Sequence, residues 1–161
     1  VIMLTYAQAQ ICSKGHVITT DISEERGTPR CSYCGSPTIS SCPDCGTPIR
    51  GTIRSDEIIF FDATYSRPSY CHNCGNPYPW TSALIESFNG IIDLADELDV
   101  SDKKILKNAF PNLLVDIPET SFSALQIKKH LKAAGKDTLN ALRSTVAEKC
   151  VQTLLNELMG W

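Results

Sequence analysis

The sequence predicts an α+β chain in two parts, a small tandem zinc-ribbon β module over residues 1–80 and an all-α four-helix module over 81–161. Three observations predict it. Seven of the eight Cys lie between Cys12 and Cys74. Apolar residues recur at helical spacing only from Thr81 onward. A length of 161 residues with 42% hydrophobic content suits one ordinary core or two small ones.

The first element is the apolar run "VIMLTYAQAQ". Its Ala7-Gln8-Ala9 resembles a signal-peptidase site, but it lacks a basic flank and a long enough apolar core, so it reads as a strand. No stretch of about 18 apolar residues follows that would span a membrane. A cytoplasmic setting is therefore expected, and in that reducing compartment paired Cys residues bind metal in preference to forming disulfides. Further strand-like runs are "TYAQAQI", "HVITTDI", "GTIRS" and "EIIFF", separated by turn formers such as "RGTPRC", "CGSPT" and "CPDCGTPIRG". Such short pieces cannot close a large apolar core, so metal is the staple that remains.

The metal-binding pattern is Cys12-x3-His16, Cys31-x2-Cys34, Cys42-x2-Cys45 and Cys71-x2-Cys74. In the last three pairs a Gly follows the second Cys (Gly35, Gly46, Gly75), supplying the unusual dihedrals of a turn that aims two thiolates at one ion. Structural zinc takes four protein ligands, so three Cys pairs leave two ligands over, and Cys12 with His16 completes the set. Sequential pairing gives one site of Cys12, His16, Cys31 and Cys34 and a second of Cys42, Cys45, Cys71 and Cys74, each spanned by a β-hairpin between two knuckles as in a zinc ribbon. Interleaved pairing, the cross-brace of RING-type domains, brings the second and third pairs closer in sequence than Cys34 and Cys42 lie here.

Two filled four-ligand sites leave no open position for a catalytic water. No Ser-His-Asp pattern, phosphate-binding Gly loop or His-x-Glu deaminase signature accompanies them. His72 and His130 read as solvated side chains, and Cys150 as a packed core thiol.

In the second part, Thr81 or Ser82 is placed to cap a helix whose Leu84, Phe88, Ile91, Ala95 and Leu98 share a face. Ser101 is expected to cap a second helix carrying Ile105, Leu106, Ala109 and Phe110, ended by Pro111. A third is expected from near Thr120 to Gly135, and a fourth from about Thr138 to Met159 with Leu139, Leu142, Val146, Cys150, Leu154 and Leu158 in one stripe. "GNPYPW" is the hinge before them.

The net charge of −3 disfavours general polyanion binding. Residues 86–119 hold eight acidic and three basic side chains, 128–149 six basic and two acidic. Lys128, Lys132 and Lys136 recur every four residues. Arg26, Arg30, Arg50, Arg54 and Arg67, interleaved with Tyr33, Phe60, Phe61, Tyr65, Tyr70, Tyr78 and Trp80, suit a protein interface or stacking on bases.

The run "ICSKGHVIT", "CSYCGSPTI", "CPDCGTPIRG" and "PSYCHNCGNPYPWT", followed by "FPNLLVDIPET" and "IKKHLKAAGK", resembles an uncharacterised bacterial family with an N-terminal zinc ribbon, a domain of unknown function. The resemblance covers nearly the whole chain; it implies a soluble bacterial protein with Cys/His pairs at these positions and no established activity. The expected protein is a non-enzymatic adaptor with two structural Zn²⁺ and a protein partner, its helical tail docking or self-associating. A nucleic-acid-binding ribbon protein and a cross-brace domain in a modification pathway are the alternatives.

Overall fold

A computed structural model of the chain describes residues 3–55, 64–145 and 156. The fold is α+β: short antiparallel sheets come first and helices follow. The chain divides into two compact units, Val1–Ser82 and Ala83–Trp161.

In the first unit the run "TYAQAQI" is two strands rather than one. β1 (Leu4–Gln8) pairs antiparallel with β5 (Arg50–Ser55), with Tyr6 opposite Ile53. β2 (Gln10–Cys12) is the middle strand of a second sheet, between β3 (Val17–Thr19) and β4 (Thr38–Ile39). The break falls at Ala9, whose N–H leaves both ladders and donates to the Ile49 carbonyl at 2.9 Å. Gly51 permits this crossing, because a Cβ there would stand 1.9 Å from the Thr20 carbonyl oxygen. Among the described residues β5, which lies between the third and fourth Cys pairs, finds its partner in β1, far back in the chain. The run "EIIFF" lies outside the described residues.

The core of this unit is small. Ala9, Ile11, Ile49, Tyr78 and Trp80 pack with the thiols of Cys42 and Cys71. Tyr78 stacks on Trp80, ring centroids 4.8 Å apart, and the Trp80 indole N–H donates to the Pro68 carbonyl at 2.9 Å. Asp21 is buried, accepts from Ser23 and pairs with Arg54 of β5, which ties the two sheets together.

Helix α1 (Pro79–Leu94) starts earlier than Thr81 because Thr81 is otherwise engaged. Its hydroxyl donates to the Ser69 carbonyl at 2.7 Å, and Pro79, lacking an N–H, suits a first helical position. Within the second unit Phe88, Ile92, Ala95 and Leu98 are buried, with Leu84 and Ile91 half-buried beside them. Helix α2 (Val100–Ala109) is capped by Asp99, not Ser101, its carboxylate accepting the Asp102 N–H at 2.7 Å. Pro111 does not simply stop the chain; it sits inside a 3-10 turn, Phe110–Leu113, that buries Phe110 against Phe88 with ring centroids 3.9 Å apart. Each such fully buried side chain contributes about 1.5–3 kcal/mol.

Helix α3 (Thr120–His130) begins where expected but ends before Gly135, passing into a 3-10 turn at Leu131–Ala133. Lys132 therefore lies in that turn and Lys136 opens helix α4 (Lys136–Thr145), so the three lysines do not share one helix face. His130 is half-buried and its Nδ1 meets Asp102 Oδ1 at 2.6 Å, in place of the solvated position expected. Leu139 and Leu142 of α4 complete the same core. Val146, Cys150, Leu154 and Leu158 lie outside the described residues. No helix among the described residues is long and apolar enough to cross a membrane.

Glu97 caps α4 from a distant part of the chain. Its carboxylate accepts the Gly135 N–H and, at 2.8 Å, the Thr138 hydroxyl, holding it below the ordinary glutamate range. A carboxyl depressed in the folded state adds stability above its unfolded pKa and loses it as pH falls through the folded value. Glu97→Ala should lower the urea midpoint of the helical unit at pH 7. The gap from the parent protein should close as the pH is taken below the glutamate range, which denaturation followed by circular dichroism will check.

Candidate metal centres

Each Cys-x2-Cys pair is built by the same backbone circuit. The N–H of the Gly after the pair donates to the carbonyl of the first Cys at 2.8–2.9 Å: Gly35 to Cys31, Gly46 to Cys42, Gly75 to Cys71. The N–H of each first Cys donates to the carbonyl five residues ahead, on Ser36, Thr47 and Asn76. A bridge then closes each turn on a proline, Arg30 to Pro37, Ser41 to Pro48 and Tyr70 to Pro77. The glycines have φ of +70°, +74° and +77°, a region that disfavours any side chain. The repeat is thus longer than three "CxxCG" copies. Its full form, Cys-x2-Cys-Gly-x-Pro, is visible in "CGSP", "CGTP" and "CGNP", where the shared proline marks the end of each turn.

The first pair is made differently. Cys12 ends β2 and His16 precedes β3, so the pair occupies the tip of the β2–β3 hairpin. Gly15, at φ +93°, donates to the Cys12 carbonyl at 2.8 Å, and the His16 N–H reaches the Cys12 sulfur at 3.2 Å. Arg67 crosses from later in the chain to donate to the Gly15 carbonyl. A Cβ on Gly15 would stand 2.3 Å from that guanidinium.

The pairs gather in chain order. The ligand atoms of Cys12, His16, Cys31 and Cys34 lie within 4.8 Å of one another, and so do those of Cys42, Cys45, Cys71 and Cys74. An interleaved cross-brace would need Cys12 to meet Cys42, and the thiols do not meet that way. In each group the first Cys of a pair is buried and its second member is exposed.

The spacings match a tetrahedral ion. Ligands at about 2.3 Å for sulfur and about 2.05 Å for nitrogen give tetrahedral edges of about 3.8 Å between sulfurs and about 3.5 Å between sulfur and nitrogen. Cys12 Sγ lies 3.8 Å from Cys34 Sγ, and His16 Nδ1 lies 3.4 Å from Cys12 Sγ and 3.7 Å from Cys31 Sγ. In the second group the separations are 3.8 Å for Cys42 and Cys74 and 3.6 Å for Cys45 and Cys71. All exceed the roughly 2.05 Å of a disulfide. Both groups could therefore hold a metal ion.

The electrostatics point the same way. The hydroxyl and N–H of Ser36 bring the Cys34 thiol down to about 6, and those of Thr47 do the same for Cys45, to about 6. The N–H groups of Cys74 and Asn73 lower Cys71. Burial raises Cys12. Cys74 receives the Asn76 N–H, but desolvation and the thiols of Cys45, Cys71 and Cys42 outweigh it and hold the group at about 12. Some thiols are thus ready to ionise while their neighbours resist adding a second negative charge at the same spot. A cation between them removes that conflict.

The family model described as "Uncharacterized protein conserved in bacteria (DUF2321)" matches residues 5–156. The chain belongs to this family. Its matched region contains all eight ligand candidates of both clusters. No curated protein and no solved structure matches the chain.

Two outcomes are expected. Titration with Co²⁺ should show His16→Ala losing the first cluster's metal while the second is retained, as read by the separate absorption of each site. Metal uptake should acidify weakly buffered solution. Metal-bound thiolates carry no proton, so the protons released should increase as the starting pH drops from 7 through 6, where Cys34 and Cys45 become protonated in the metal-free form.

Proposed function

We propose that the protein is a non-enzymatic, cytoplasmic zinc-binding adaptor, its N-terminal unit held by two structural Zn²⁺ and its exposed strands engaging a protein partner. All-sulfur and sulfur–nitrogen donor sets favour zinc over hard cations such as Mg²⁺ or Ca²⁺. With all four positions taken by protein, a bound Zn²⁺ acts as a cross-link and lacks the open position that hydrolytic chemistry needs. Seven thiolates and two such ions would take the net charge from −3 to about −6.

The observation that carries the adaptor reading is the open face of the β1–β5 ribbon. Tyr6 and Ile53 are register partners and Leu4 lies two residues from Tyr6, so all three share one face, at 52%, 40% and 58% exposure. A cleft of about 230 Å³ beside them is lined by Tyr6, Arg50, Tyr65 and Pro68. Contiguous apolar and aromatic side chains with an Arg are the composition of a protein-binding patch. The arginines that would serve a nucleic-acid reading are largely engaged within the fold. Arg54 pairs with Asp21, Arg67 donates to Gly15, Arg30 donates to the Gly35 carbonyl, and Arg50 lies over the Tyr6 ring at 4.5 Å.

Elemental analysis should return about two zinc per chain. A triple variant, Leu4→Ser with Tyr6→Ser and Ile53→Thr, should keep that zinc and lose a specific partner captured by the parent protein in chemical cross-linking. Retention of the partner by the triple variant, or salt-sensitive binding of labelled DNA or RNA by the parent, would count against the adaptor reading.

A further inference from the structure

The repeat geometry allows the three knuckles to be compared position by position. Seven residues after each first Cys, a backbone N–H returns to the carbonyl two residues before it: Thr38 to Pro29, Ile49 to Ser40, Tyr78 to Ser69. That position carries Thr38, Ile49 and Tyr78, and of the three only Tyr78 brings a long polar side chain into the core beside thiols. Tyr78 is 1% exposed, and its hydroxyl oxygen is closed to water and without a hydrogen-bond partner. A buried phenol normally finds an acceptor, so an orphan here needs a reason. Its surroundings supply one. Tyr78 shares one buried cluster with Cys42 and Cys71, the two buried thiols of the second metal group. Burial first, and then the neighbouring thiols of Cys71, Cys42 and Cys45, push the phenol's ionisation up.

The two clusters also differ in charge. Around a divalent ion, three thiolates and an imidazole leave a net charge of about −1, whereas four thiolates leave about −2. The second cluster thus has the greater need of donors, and part of it is buried. The Asn73 N–H reaches Cys71 Sγ at 3.5 Å and the Thr47 hydroxyl lies 3.2 Å from Cys45 Sγ, both near the turn. Tyr78 approaches from the core side.

We propose that Tyr78 is a positioning residue of the four-cysteine centre, donating its O–H to the Cys71 thiolate once that cluster holds a metal ion. The orphan hydroxyl and the surplus negative charge then satisfy each other. The phenol cannot turn away, because its ring is stacked on Trp80 and the indole is tethered to Pro68. This inference rests on the metal reading of the cluster.

The test uses the full chain and Co²⁺ as probe. Tyr78→Phe keeps the ring and its stacking, so it should still bind two ions. In the variant the sulfur-to-cobalt charge-transfer band of the four-cysteine site should move to lower energy, since an unshielded thiolate donates more readily. Release of that ion to a chelator should quicken by about tenfold, the usual scale for losing an outer-shell partner. The band and release of the Cys12/His16/Cys31/Cys34 site should stay as they are. If Tyr78→Phe fails to fold, 3-fluorotyrosine at position 78, a stronger donor of nearly the same shape, should move the band the opposite way. An unmoved four-cysteine band in either protein would overturn the proposal. Absence of cobalt binding at that cluster in the parent protein would instead overturn the metal reading itself, and the parent titration, run first, separates the two.

Discussion

Four ligand atoms drawn to within 4.8 Å of one another, twice over, form the constraint on which the N-terminal unit depends. Thiols brought this close repel one another once ionised, and the backbone N–H groups that help to ionise them sharpen the conflict. Cys45 and Cys74 show it within one cluster, one thiol eased into ionisation and the other held back. The alternatives are protonated thiols, which leave the turns loosely tied, or a cation, which ties four points of the chain at once. The small sheets cannot replace that tie. Among the described residues their longest strand has six residues, and the apolar core they enclose consists of a few side chains around two of the thiols themselves.

The C-terminal unit is organised by a different force. Phe88, Ile92, Leu106, Phe110, Ile127, Leu131 and Leu142 are almost wholly buried in one cluster, and helix ends are closed by carboxylates rather than by metal. Asp99 serves its own helix and Glu97 serves α4 across the fold. His130 and Asp102 join α3 to α2 by a short hydrogen bond. Removal of metal and removal of apolar side chains are therefore expected to act on different halves of the chain, since each half draws its cohesion from a different source.

Legibility in the sequence followed the range of the interaction. Fixed short spacings brought out the Cys pairs, and the 3.6-residue period brought out the helices. His16 could be placed by counting donors, because four ligands are needed and only that pair completed them. Local rules went astray where two neighbours competed for one role: Asp99 and Ser101 are both able caps, and the phase of the helix chose Asp99. They were silent where the partner was remote. Nothing near "TYAQAQI" shows that its first half pairs with β5 while its second half joins β3 and β4. Glu97 bonding to Gly135 and Arg67 to Gly15 are likewise meetings across 38 and 52 residues.

The pairing of β1 with β5 also sets an order of assembly during synthesis. The first cluster's four donors, ending at Cys34, leave the ribosome before any residue of β5, so that turn system has what it needs to close early. β1 is made before the other strands described and yet must wait for Arg50–Ser55, a delay of roughly two to eight seconds at bacterial elongation rates of about 5–20 residues per second. Over that interval Leu4 and Tyr6 belong to a strand still without its partner, and the nascent chain carries an adhesive unpaired edge.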